Sequence, residues 1–169
     1  MSELNLGQIR GLTVNNNVVT VPSGHTLHAP GHVLQVVQGA TTTTAASTST
    51  TFVSSGLSVS ITPKFATSKL LISITHNGVT KNSGNASNAL RMKLQKNSVD
   101  YTQFLTDFGY TGTAIYVANM TAAYNLLVNA EDTGTQVWST VFANAVASSG
   151  VYLQDNGMRS TITVWEIAA

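Results

Sequence analysis

The strongest constraint on this chain is an alternation of period two. Gly56-Leu-Ser-Val-Ser-Ile-Thr62 sets Leu57, Val59 and Ile61 against Ser58, Ser60 and Thr62 and stops at Pro63, the pattern of a strand with one face buried and one in water. The pattern recurs. Leu70, Ile72 and Ile74 mark a second strand, and Leu90, Met92 and Leu94 alternate with Arg91, Lys93 and Gln95 in a third whose solvent face is basic. From Thr113 to Val128 both parities carry apolar residues, which leaves one long bent strand, two strands or a helix open. Gln136–Phe142 is expected to form a hairpin with that element through Glu131-Asp-Thr-Gly134. Val151–Leu153 is expected to form another with Ser160–Ile167 through Asp155-Asn-Gly157.

Composition favours the same class. Hydrophobic residues make up 43% of the chain and charged ones only 9%, so Thr, Ser, Asn and Gly fill the remainder, as suits strands and turns. About seven to nine short strands between Gly/Asn/Ser turns imply an all-β fold: an antiparallel, jelly-roll-like β-sandwich. The 169 residues divide at a natural break. Residues 1–38 form an N-terminal attachment arm and hairpin, turning at the Asn run in Leu12–Val21, and residues 39–169 form the C-terminal β-sandwich domain. The hydroxyl-rich run Thr41–Thr51 near the start of the second is read as extended chain, because β-branched Thr favours strands.

Charge and chemistry exclude several classes of function. Eight basic and seven acidic residues give a net charge of +1 with no run of like charge, so the electrostatic footprint expected of a nucleic-acid or anionic-membrane partner is missing. The absence of cysteine removes disulfides and thiolate metal sites. No apolar run approaches the roughly 20 residues of a membrane span, and Met1-Ser-Glu-Leu-Asn-Leu lacks a basic segment followed by an apolar one, so neither insertion nor secretion is expected.

Three of the four histidines, His25, His28 and His32, lie within one short stretch. Imidazole binds zinc, iron and nickel, but Pro30 argues against a helix here, and in a strand His25 and His28 point to opposite faces. A site within one chain is therefore disfavoured. What stays open is an ion shared by symmetry-related subunits, or simple exposed turn histidines. No cofactor is expected. The acids Glu3, Asp100, Asp107, Glu131, Asp132 and Asp155 fall in expected turns, loops or the arm, and only Glu166 in a strand; nothing selects a catalytic pair, no Gly-x-Ser-x-Gly elbow occurs, and an enzyme is not expected. Tyr101, Phe104, Asp107, Phe108 and Tyr110 crowd into an expected loop. Aromatic faces stack on sugar rings and carboxylates accept from hydroxyls, so this set is a candidate surface for recognising a host glycan, against the plainer reading that its rings cap the core.

The last strand is apolar on both faces, with Ile162 and Val164 on one parity and Trp165 and Ile167 beyond it. Such a strand has to be covered twice, which marks Ile162, Val164, Trp165 and Ile167 as candidate subunit contacts.

Several of these stretches resemble those of a known group. Met1-Ser-Glu-Leu-Asn-Leu-Gly-Gln-Ile-Arg10, Val19-Thr-Val-Pro-Ser-Gly-His25, Gly31-His-Val-Leu-Gln-Val-Val-Gln38, Gly56–Lys64 with Ala66–Ile72, and Ser160–Ala169 are similar to segments of tail-fibre and structural proteins of bacteriophages, cyanophages especially. Lys81 to Tyr152 matches nothing specific, and Trp165 stands where a smaller residue such as Met is expected. The resemblance implies a virion component assembled in the host cytoplasm, homotrimeric, joined by its N-terminal part to other virion proteins and facing outward with its β-domain. It carries over no catalytic residues. A tail fibre or fibre tip contacting the host surface is the leading expectation; a capsid-decorating or head-fibre protein of the same fold is the alternative, and a carbohydrate-active enzyme comes from another class.

Overall fold

A computed structural model of the chain describes Val21, Ser23, His25, Leu27 and residues 29–169. The hairpin expected in Leu12–Val21 lies, but for Val21, outside the described residues, as does His28. Ten strands follow in order: β1 (Val33–Thr41), β2 (Ala45–Ser47), β3 (Val53–Ile61), β4 (Lys69–Lys81), β5 (Leu90–Lys96), β6 (Val99–Phe108), β7 (Val117–Asn129), β8 (Gln136–Asn144), β9 (Val151–Leu153) and β10 (Ser160–Ile167). All pairings are antiparallel. In the first sheet β4 carries β7 on one side and β10 followed by β1 on the other, with the short β9 and β2 continuing past β10 along the same edge. The second sheet has the order β3-β8-β5-β6. The molecule is an antiparallel β-sandwich.

The alternations place the core. Leu57, Val59 and Ile61 of β3, Leu70, Ile72 and Ile74 of β4, Leu94 of β5, Trp138 of β8, and Ile162 and Val164 of β10 meet in one buried cluster between the sheets. A second cluster of Val79, Leu90, Met92, Ala122, Phe142, Val151 and Leu153 lies toward the far end of β4, and Phe104 packs against both. At Gly39, β1 runs so close to β3 that an added Cβ would sit 1.8 Å from the carbonyl oxygen of Ser58. Only glycine lets the edges of the two sheets meet there.

Of the alternatives open for Thr113–Val128 the single long strand holds, as β7 from Val117 onward. Three expectations need correction. β7 and β8 are not a hairpin, since β7 pairs with β4 while β8 pairs with β3 and β5; the turn at Glu131–Gly134 carries the chain from one sheet to the other. β9 and β10 are not a hairpin either, because both lie along β4, and Asp155–Gly157 between them is a 3-10 turn flanked by left-handed Gln154. Finally, β1 pairs with β10 from Val33 to Thr41, so the expected boundary at residue 38 cuts a strand and residues 33–38 belong to the sandwich. The apolar residues of β1 read as a separate anchor only while their partner, over a hundred residues away, is unknown.

The interior also holds a polar ladder. His76 of β4 is fully buried, with Nε2 3.0 Å from the Thr140 hydroxyl, which lies 2.6 Å from that of Ser55. With its amide turned so that Oε1 faces inward, Gln154 accepts from His76 Nδ1 at 3.0 Å and from Ser160 at 2.9 Å, and donates to the carbonyls of Thr43 and Leu153. This arrangement fixes the neutral tautomer with its proton on Nδ1, and burial lowers the His76 pKa from 6.5 to about 4.

The chain enters and leaves the sandwich at the same end. Val33 pairs with Ile167, and Ile167 with Lys69, the first residue of β4. Gly31 donates to the carbonyl of Ala168 and Ala168 to that of His32, after a turn in which His32 donates back to Ala29 across Pro30–Gly31. Glu166 locks this end. Its buried carboxylate accepts from the backbone of Lys64 at 2.8 Å and Phe65 at 3.2 Å, and from Gln35 of β1 at 2.6 Å.

Candidate functional site

The aromatic stretch expected as a loop is strand β6, and its residues do not form one surface. Phe104 turns inward and stacks on Tyr124 of β7 at 4.8 Å and 14°, and Phe108 packs against the second core cluster. Tyr101 meets Trp138 edge to face at 5.2 Å. Asp107 is paired with Arg91 at 3.0 Å on an exposed surface, and Tyr110 stands exposed in the following loop. The candidate set therefore divides between core and surface, because alternation in a strand sends neighbouring rings to opposite faces. The adjoining Asp100 carboxyl is held below the usual range first by the Gln95 amide and then by Lys93.

His25 and His32 are exposed, and among the described residues no three His, Cys, Asp or Glu side chains converge as metal ligands. Of the four residues marked as subunit contacts, Ile162 and Val164 are fully buried within the chain's own core and offer nothing to a second copy. Trp165 and Ile167 do face outward. Their register builds a continuous apolar row across the outer face of the first sheet: Val36 on β1 lies beside Trp165 on β10, Trp165 beside Leu71 on β4, and Leu71 beside Leu127 on β7. Val36 is 52% and Leu127 57% exposed. The next row, Gln38, Thr163, Ser73 and Asn125, is polar and uncharged.

The far end of β4 carries a cleft of about 230 Å³ lined by Thr80, Asn82, Tyr116, Tyr152 and Asp155. Four pieces of chain build it. Thr80 pairs with Tyr152 of β9, which sets the cleft's wall in the sheet. Asp155 is brought against β4 by a close approach: a Cβ on Gly78, whose φ is +62°, would lie 2.7 Å from both the backbone nitrogen and the oxygen of Asp155. There the Thr80 hydroxyl donates to Asp155 Oδ2 at 2.9 Å, and the amide of Asn156 to Oδ1 at 3.0 Å.

Tyr116 arrives on the loop of residues 109–116 between β6 and β7, and a lysine holds that loop. Lys81 is 1% exposed, and its ammonium donates to the carbonyl of Thr113 at 2.7 Å, to the carbonyl of Ala86 at 3.4 Å and to the Thr111 hydroxyl. A buried cation needs such saturation to be tolerated. Lys81 and the cleft escape the period-two pattern, since β4 slips register with β7 between His76 and Val79 and again before Lys81. His76, by contrast, continues the inward parity of Leu70, Ile72 and Ile74, a signal present in the sequence.

Along β4, eleven residue steps separate Lys69 at the chain-end side from Thr80 at the cleft, roughly 35 Å at about 3.3 Å per residue. The cleft and the chain ends thus occupy opposite ends of the sandwich. No protein-family model matches the chain, and no relative is found among curated proteins.

Proposed function

We propose that the protein is a virion structural protein of a bacteriophage, a tail fibre or fibre tip whose β-sandwich is tethered through its N-terminal segment and meets the host surface with its other end. The observation that carries this reading is the polarity of the sandwich. Residues 31–33 enter, and Ala168 leaves, at the Lys69 end, while the cleft with its exposed tyrosine opens at the Thr80 end. A module built this way presents its irregular, side-chain-rich end outward when its chain start is fixed to a particle. The resemblance of Met1–Arg10 and Gly31–Gln38 to phage fibre proteins supplies the particle. The strand orders β1-β10-β4-β7 and β3-β8-β5-β6 support the jelly-roll form of the sandwich.

The outer row Val36, Trp165, Leu71 and Leu127 is assigned to contact with further copies of the same chain, a trimer. The row Gln38, Thr163, Ser73 and Asn125 on one side of it is uncharged, on the other side Lys69 is the one charge and its ammonium donates to Asn129, and the members lie toward the tethered end, where copies sharing an attachment point sit side by side. Antibody against residues 39–169, imaged on intact phage particles, tests the reading. Labelling of tail fibres is expected; labelling of the capsid alone would move the protein to the capsid-decorating or head-fibre alternative, and its absence from particles would contradict both.

A further inference from the structure

We propose that the cleft lined by Tyr116, Tyr152 and Asp155 binds one neutral pyranose ring of a surface glycan. The assignment deepens the attachment reading and rests on it for its biological setting, though not for its chemistry. A tyrosine presents an apolar ring face that matches the C–H face of a pyranose, and a hydroxyl at its tip. Neither Tyr116 nor Tyr152 spends its hydroxyl on a hydrogen bond among the described residues. Asp155 contributes the directional contact. A carboxylate has about four acceptor positions, and here one is taken on each oxygen, by Thr80 and by Asn156, which fixes the group while leaving lone pairs for sugar hydroxyls. Asn82 donates to the carbonyl of Ser149 at 3.2 Å and accepts from Ser83, which anchors its amide at the rim.

The charge in the cleft decides between ligand classes. An anionic sugar or a phosphate would meet the Asp155 carboxylate, and the nearest buried cation, Lys81, turns its ammonium to Ala86, Thr111 and Thr113. Neutral hydroxyl-bearing ligands meet no such repulsion. Size decides the rest: about 230 Å³ falls below the roughly 300 Å³ at which sites for larger organic ligands begin, and fits a single ring. The site is also preorganised. Gly78 lets the Asp155 turn close onto β4, and Lys81 ties down the loop that carries Tyr116, so little ordering remains to oppose a weak ligand.

The test is an NMR titration of the full chain with the methyl glycosides of glucose, galactose, mannose and N-acetylglucosamine, with glucuronic acid as the anionic control. At least one neutral glycoside is expected to shift the amides of Thr80, Asn82, Tyr116, Tyr152 and Asp155 saturably, with a Kd on the order of 1 mM. Tyr116→Ala, at a 56% exposed position, is expected to weaken that binding about fivefold or more, Asp155→Asn to weaken it comparably, and Tyr116→Phe to retain most of it. Saturable shifts with none of the neutral glycosides, equal affinity in Tyr116→Ala, or binding of glucuronic acid as tight as the best neutral sugar would overturn the assignment. The purified chain is all this titration needs. A particle image that removed the protein from virions would therefore sink the attachment reading and leave the result on the cleft standing.

Discussion

From Lys69 to Thr75 β4 pairs residue for residue with β10 on one side and β7 on the other, whereas from His76 to Lys81 its register with β7 slips twice and its other edge passes to the short β9. The first half meets the chain ends and is locked by the carboxylate of Glu166. The second half bears a buried histidine, a buried lysine, a 3-10 turn and a cleft. Regular pairing buries apolar side chains and holds the sandwich together; register slips interrupt that pairing, which costs stability but shapes a surface. One strand serves both needs because its two halves answer to different partners.

The largest effect should come from breaking the regular half. Gly39→Ala places a methyl group 1.8 Å from the Ser58 oxygen, against backbone that cannot yield as a flexible side chain would, and is expected to cost about 3 kcal/mol or more, read as a collapse of the urea midpoint. The polar ladder comes next. The unfolded chain takes a proton on His76 near pH 6.5, while the folded chain holds the ring neutral down to about 4. Between those values the unfolded state binds more protons, so stability falls as pH drops through this window, by about 3 kcal/mol in all. Urea unfolding from pH 7 to pH 4 should show that slope, and His76→Gln should flatten it; an equal slope in the variant would remove His76 as its cause.

Lys81→Met sharpens the comparison further. It removes the ammonium that ties Thr111 and Thr113 to β4 and to the Ala86 carbonyl and is expected to cost about 2 kcal/mol, with proteolytic cleavage appearing within residues 109–116. Cleavage should not spread to β1 or β10. The smallest effect on the fold belongs to Trp165→Lys, within about 1 kcal/mol because the side chain is only half-buried in a single chain. Its consequence is expected in sedimentation, where the trimer proposed above should fall to monomer; an unchanged sedimentation coefficient, or a starting chain that already sediments as a monomer, would contradict a subunit contact at Trp165.

How much of this was legible in the sequence follows the same division. Leu57, Val59, Ile61, Leu70, Ile72, Ile74, Leu90, Met92 and Leu94 declare their faces because an unbroken strand maps parity onto side. The outward turn of Trp165 and Ile167 is equally plain. What parity cannot reveal is partner choice: the turns at Glu131–Gly134 and Asp155–Gly157 look like hairpin turns, yet the chain crosses to the other sheet at the first and runs on along β4 at the second. Nor can it reveal the cleft, whose residues come from β4, β9, the 3-10 turn and the loop before β7 and meet only after two register slips. The aromatic run of β6 misled for a related reason. Adjacency in sequence promised a common surface, and the strand dealt its rings between core and solvent.

The central claim is that the chain ends and the cleft occupy opposite ends of a module tethered to a particle. The sequence contains no cysteine, so single substitutions Tyr116→Cys and Ala169→Cys each create one attachment point for a gold label. Particles carrying each label, imaged and compared, should show the gold at position 116 farther from the particle axis or shell than the gold at position 169, by roughly 35 Å from the length of β4. Gold at 169 lying outermost, or the two at the same distance, would contradict the account.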